Sequence, residues 1–190
     1  QRGPDIKKED PVFTRAALAM VENLDKNVGR ILTAIDTAGV SRETVVVFFS
    51  DNGPNSLRWC GGMRGKKGST DDGGTRSICC IRYPGQIASG VRVPQITGAI
   101  DLLPTLAGLS GVQLNSPKPL DGIDLTAMLK EDTAEQSKSK ELGLELGRRH
   151  MVASQRGRIS IRTQRFRLDD KGRLYDMLTD IGQKRDISKE

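Results

Sequence analysis

Asp51 and Asn52 close an apolar run, Thr44–Ser50 (TVVVFFS), and are followed at once by Gly53 and Pro54. A carboxylate beside a side-chain amide offers two hard oxygens. Ca²⁺ takes such donors at about 2.3–2.6 Å and Mg²⁺ at about 2.0–2.1 Å. The next segment, residues 61–76 (GGMRGKKGSTDDGGTR), holds six glycines in sixteen residues, with Arg64, Lys66 and Lys67 among them. Glycines let a backbone approach a ligand closely, and lysines neutralise an oxyanion. Oxygen donors for a cation beside a flexible basic loop are what hydrolysis of a sulfate or phosphate ester requires. Asp-Asn-Gly is equally a common turn sequence, and the residues alone leave that plainer assignment standing. A nucleotide phosphate loop is excluded by spacing, because Lys67 is followed by Gly68 rather than Ser or Thr.

The elements that would position these residues read as α/β. Asp10-Pro11 starts a helix, with Asp as N-cap and Pro at the first position. Ala17, Val21, Leu24, Val28, Ile31 and Ile35 then form one helical stripe, ended by Gly39, which predicts a face buried against a sheet. Thr44–Ser50 is apolar without alternation, as in a parallel-sheet strand covered on both faces. Ser77–Arg82 (SICCIR) predicts a second such strand, with Cys79 and Cys80 as core filling. Asp101 can cap a helix carrying Pro104 in its first turn, and Asp124 a short one over Leu125–Lys130. The composition changes at that point. We expect three parts: an α/β domain over 1–130, a polar linker over 131–147, and a small antiparallel subdomain over 148–190. In the last part, 151–154, 158–162, 165–168 and 174–177 predict short strands, with a hairpin turn at Asp169–Gly172.

The bulk numbers narrow the function classes. The 190 residues suffice for a core, and 36% hydrophobic with 28% charged residues is the balance of a globular domain. No apolar run approaches the roughly 20 residues of a membrane span. The net charge of +6 suits an anionic partner. Aromatics are only 4%, too few for base-stacking platforms, and no nucleic-acid motif is present, which argues against a nucleic-acid partner. The Arg156, Arg158, Arg162 and Arg165 cluster reads as solvated surface. Cys60, Cys79 and Cys80 make no disulfide framework or zinc spacing. His150, the single histidine, falls where the last sheet begins and reads as surface or packing. The polar start, without an initiator Met or a signal-peptide core, predicts a processed or truncated piece.

Six stretches occur in one order: VVVFFSDNGP (45–54), RGKKGSTDDGGTR (64–76), IRYPGQI (81–87), AIDLLPTLAGLSGV (99–112), LDGIDL (120–125), and RTQRFRL with GRLYDM (162–177). Together they resemble the C-terminal part of type I sulfatases, within the alkaline-phosphatase-like superfamily, and MVENLDKNVGRIL (20–32) resembles the helix before that family's Asp-Asn strand. The resemblance implies an α/β/α sandwich followed by a small antiparallel sheet. It implies Asp51 and Asn52 as ligands of Ca²⁺, in preference to Mg²⁺. Lys67 would be the lysine that contacts the substrate sulfate, with Lys66 the alternative one residue out of register. Asp101 and Leu174-Tyr175-Asp176 match structural positions.

The implied reaction is hydrolysis of a sulfate ester on a carbohydrate or an aryl group. A hydrated formylglycine would attack sulfur, the alcohol would leave, and the aldehyde would re-form as sulfate departs. None of the three cysteines has the C-x-P-S-R context of that nucleophile. The paired aspartates, the lysine and the two histidines that complete the family's site are expected upstream of Gln1. The chain alone is therefore expected to be inactive, with sheet edges uncovered. Asp72 stands where the family usually has Glu, and Ile181 where it usually has Pro. Two alternatives stay open: a phosphoesterase or phosphonate hydrolase of the same superfamily, and a non-catalytic domain that binds sulfated glycans. The family is usually periplasmic, secreted or lysosomal. The chain does not fix the compartment or the oligomeric state.

Overall fold

A computed structural model describes residues 10–56, 60–130 and 147–190. The expected linker, 131–147, lies almost wholly outside them.

Helix α1 spans Pro11–Thr37. The Asp10 side chain accepts from the Val12 N–H at 2.8 Å and the Phe13 N–H at 3.3 Å, so the predicted cap forms. Ala38 is the C-cap, and Gly39 follows at φ +72°, a conformation a side chain would resist. The expected burial of the stripe does not occur. No α1 residue is buried, and Val21, Leu24 and Ile31 are exposed, while Val28 and Ile35 are half-buried. The reason is geometric. A 27-residue helix is about 40 Å long, and each four-residue strand that follows is about 13 Å.

Strand β1 (Val46–Phe49) pairs with β2 (Cys79–Arg82), with Val46 opposite Arg82 and Phe49 opposite Cys79. The pairing is antiparallel, which corrects the parallel expectation. A parallel return needs a crossover that brings the chain back to the start of β1. The intervening residues turn at its far end instead, and those described contain only the one-turn helix α2 (Asp72–Thr75). With two strands in this sheet, Cys79 and Cys80 are exposed rather than core.

Helix α3 (Leu102–Ser110) ends at Gly111, φ +67°. Asp101 is fully buried, but its carboxylate does not cap α3. It accepts from the Gly98 N–H at 2.8 Å and the Ile123 N–H at 2.9 Å, and it pairs with Arg148. That cluster pins the C-terminal part to the first. Helix α4 (Thr126–Lys130) starts where Asp124 accepts the Thr126 N–H at 2.8 Å. The apolar core is small: Leu109, Leu125, Met128 and Leu129, with Val45, Ile81 and Tyr83 packed against it.

The C-terminal sheet follows the expectation. Strands β3 (His150–Gln155), β4 (Arg158–Thr163), β5 (Phe166–Leu168) and β6 (Leu174–Asp176) form an antiparallel meander in chain order. His150 is the exposed first residue of β3. The polarity of the two faces is inverted. Val152, Ile161 and Leu168 form one exposed cross-strand row, whereas Ser160, Arg167 and Tyr175 are buried. No described helix is long and apolar enough to cross a membrane.

Candidate active site

The end of β1 sets the turn at 51–54. The Ser50 N–H donates to the Ile78 carbonyl at 3.1 Å, and the Ser77 hydroxyl donates to the Ser50 carbonyl at 2.6 Å. The strand pair therefore extends one step before the chain departs at Asp51. Ser50 Oγ then donates to the Asn52 carbonyl at 3.2 Å, and Asn52 Nδ2 to the Gly53 carbonyl at 3.2 Å. This last bond uses the amide's donor and leaves its oxygen available. Asp51 is exposed and has no ion pair among the described residues.

The glycine-rich loop is seated on this turn through main-chain bonds. The Gly53 N–H donates to the Gly74 carbonyl at 3.0 Å, and the Lys67 N–H to the Pro54 carbonyl at 2.9 Å. Contact is so close that a Cβ on Gly53 would lie 1.9 Å from the Gly73 carbonyl oxygen. A Cβ on Gly73 would lie 2.5 Å from the Gly65 carbonyl oxygen on the other side. Those two glycines are required by the close approach of one loop backbone to another, whereas the glycine content had suggested approach to a ligand. Lys67 is exposed beside Pro54, while Lys66 precedes it and accepts the Ser69 N–H at 3.0 Å through its carbonyl. Asp51, Asn52 and Lys67 are thus joined by one docking of two loops.

The back of the loop is clamped by the C-terminal sheet. Ser160 Oγ donates to the Thr70 carbonyl at 3.0 Å, and Arg167 Nη2 donates to the same oxygen at 3.1 Å. Arg167 also pairs with Asp71 at 3.1 Å and donates to Gln183 at 2.7 Å. Arg162 lies 3.5 Å from buried Asp72. The solvated reading of Arg162 is therefore corrected: its charge faces a carboxylate held out of water. Sequence reasoning missed Arg167 and Ser160. The available signal was complementarity, since an Arg-rich strand hairpin must meet acids somewhere and Asp71-Asp72 is an adjacent acidic pair.

Two of the three thiols, Cys60 and Cys79, are shifted away from the thiolate form. Burial pushes the Cys60 thiol up, and its sulfur lies 3.0 Å from the Met63 carbonyl oxygen. Burial, with Cys80 as neighbour, pushes Cys79 up as well. Activated cysteines are shifted the other way. Among the described residues no three His, Cys, Asp or Glu side chains cluster as a metal cage.

The sulfatase family model matches residues 3–112, more than half of the chain. The chain belongs to the sulfatase family. It is 43% identical to human arylsulfatase A over 111 residues, which is 56% of this chain and 22% of that enzyme. It is 35% identical to a sulfatase of Formosa agariphila over 154 residues, or 72% of this chain and 27% of that one. The crystal structure of Ps i-CgsB superposes with a TM-score of 0.76 at 25% identity, covering 98% of this chain and 41% of the other. The alkaline-phosphatase-like α/β fold expected from the motifs is shown by this match. The matched part of this chain spans about a fifth to a quarter of the two curated relatives. Both are sulfatases, which gives no support to the phosphoesterase alternative.

Proposed function

We propose that this chain supplies the cation-and-lysine half of a sulfatase active site acting on an aryl sulfate or a sulfated carbohydrate. The observation that carries the proposal is the docking of the 51–54 turn on the glycine loop. It joins the loop that carries exposed Lys67 to the turn that carries Asp51 and Asn52, through main-chain bonds. Lys67 offsets negative charge on the ester's sulfate oxygens, and the main-chain bonds at Pro54 and Gly74 seat the backbone that carries it.

Ca²⁺ fits the donor set as a partial cage. The Asp51 carboxylate is free of described partners, and Asn52 has its amide nitrogen occupied and its oxygen spare. Two donors are fewer than the 6–8 that Ca²⁺ takes, so further ligands complete the site. Bound there, the ion would supply Lewis-acid polarisation of the ester. The nucleophile is also supplied by residues other than those present, since no cysteine has the formylglycine context. We infer from the motif order that the chain is the C-terminal part of a longer sulfatase; its 41% share of a solved relative supports only that it is a part. On family resemblance alone, its compartment is exported, periplasmic or lysosomal.

A chimera tests this. Residues 3–112 replace the matched segment of human arylsulfatase A, and 4-nitrophenyl sulfate hydrolysis is measured. The chimera is expected to turn over. Lys67→Ala and Asp51→Ala are expected to lower kcat by about 10²–10³ with unchanged melting. The isolated chain is expected to show no turnover above its own Lys67→Ala variant. Full activity in the Lys67→Ala chimera would refute the assignment.

A further inference from the structure

A cavity of about 110 Å³ lies between the 64–71 loop and the turn joining β5 to β6. None of Asp51, Asn52 and Lys67 lines it. Its walls are charged or hydroxyl-bearing throughout, with no aliphatic or aromatic side chain. Arg64, Arg158, Arg167, Lys171 and Arg173 contribute five cations, against the carboxylates of Asp71, Asp169 and Asp170.

Two of those carboxylates are already satisfied. Asp169 takes Arg173 in a two-pronged pair, at 2.8 Å to Nε and 2.6 Å to Nη2. It also accepts the N–H groups of Lys171 and Arg173 at 2.9 and 3.0 Å. Asp71 meets Arg167 at 3.1 Å and Arg64 at 3.9 Å. Arg158 and Lys171 are left without an ion-pair partner among the described residues. Of the lining residues, Arg167 is 1% exposed and its Nε has no acceptor, and the Ser69 hydroxyl is buried without a partner. Buried donors of this kind normally have an acceptor.

We propose that this pocket binds a tetrahedral oxyanion, a sulfate or phosphate group, at a site separate from the ester site. Surplus positive charge, unsatisfied buried donors and an all-polar lining select an anion with several acceptor oxygens. The space fits: a water takes about 30 Å³ of liquid, and a five-atom oxyanion is only a few times larger. The ligand is either a free inorganic anion or a sulfate on a glycan. Since Arg167 and Asp71 also hold the glycine loop, occupancy braces the segment that carries Lys67.

The test is calorimetric titration of the full chain with sodium sulfate, balanced with sodium chloride to constant ionic strength. Saturable binding is expected in the wild type and in Lys67→Ala. At least tenfold weaker binding is expected in Arg158→Ala/Lys171→Ala, whose side chains are exposed. Melting in chloride checks that this variant folds. If it does not, Lys171→Gln alone carries the test, with binding several-fold weaker. A parallel titration with glucose 6-sulfate distinguishes the sources: tighter binding than inorganic sulfate assigns a glycan, and equal binding a free anion. The proposal is overturned by absence of saturable binding, by loss of binding in Lys67→Ala, or by undiminished binding in the folded variants.

Discussion

Helix α1 and the junction between the glycine loop and the C-terminal sheet have opposite economies. The helix is strongly amphipathic, yet it has no buried residue, and Phe13, Leu18, Val21 and Ile31 face solvent. The junction is built from Thr70, Asp72, Ser160 and Arg167, residues usually found outside, and every one of them is buried. Local pattern formed the helix; long-range polar pairing formed the junction. In this chain the glycine loop is therefore held by hydrogen bonds and ion pairs, while much apolar surface is left without a partner.

The contrast can be broken most strongly at Arg167. Arg167→Leu removes the partner of Asp71 and Gln183 and a donor to Thr70. We expect a loss of about 3 kcal/mol, the low end for breaking a buried pair, read as a lower urea midpoint. Arg167→Lys should recover little of it, since a lysine cannot present the fork. An unchanged midpoint in Arg167→Leu would mean that the junction is not what secures the loop.

Acid probes the same region with a smaller effect. Burial raises the Asp169 carboxyl, but Arg173 and the neighbouring N–H groups outweigh it and hold it below the usual range. Arg165 holds Asp176 down in the same way, with bonds of 3.0 and 2.8 Å. A carboxyl depressed in the folded state stabilises it fully above the unfolded value, near about pH 3.9. That stabilisation fades as pH falls further, through the folded value. The melting midpoint should therefore drop below about pH 4, and Asp169→Asn/Asp176→Asn should flatten the drop. A drop of equal steepness in that variant would place the acid sensitivity elsewhere.

The smallest effect is expected on the helix. Val21→Glu/Leu24→Glu should change stability by no more than about 0.5 kcal/mol per site, because neither side chain is covered. The same variant should lower self-association in light scattering, by breaking an exposed apolar stripe. A loss well above 1 kcal/mol would show that the stripe is packed, and the contrast would collapse.

Legibility in the sequence follows the same division. The cap at Asp10-Pro11, the turn at Asp169–Gly172 and the C-terminal meander were readable because each is decided within a few residues. The pairing of β1 with β2 was not. A run such as TVVVFFS states that a strand forms but is silent on its neighbour, which sits 36 residues away at the Val46–Arg82 pair. Burial of Arg167 was hidden for a related reason: its partners lie at 70, 71 and 183. Alternation at 159–162 was visible too, but it could not say that the polar side would be the inner one. For the candidate site, the types and order of Asp51, Asn52 and Lys67 were legible, and the backbone bonds that join their loops were not.

Those bonds at Pro54 and Gly74 run between peptide groups. The seating of the glycine loop on the 51–54 turn is thereby indifferent to which side chains those two loops carry. Side chains on the two loops can therefore change without removing the bonds that join them. Substitution at Gly53 or Gly73 disturbs the seating itself, because an added Cβ would meet a carbonyl oxygen at 1.9 or 2.5 Å.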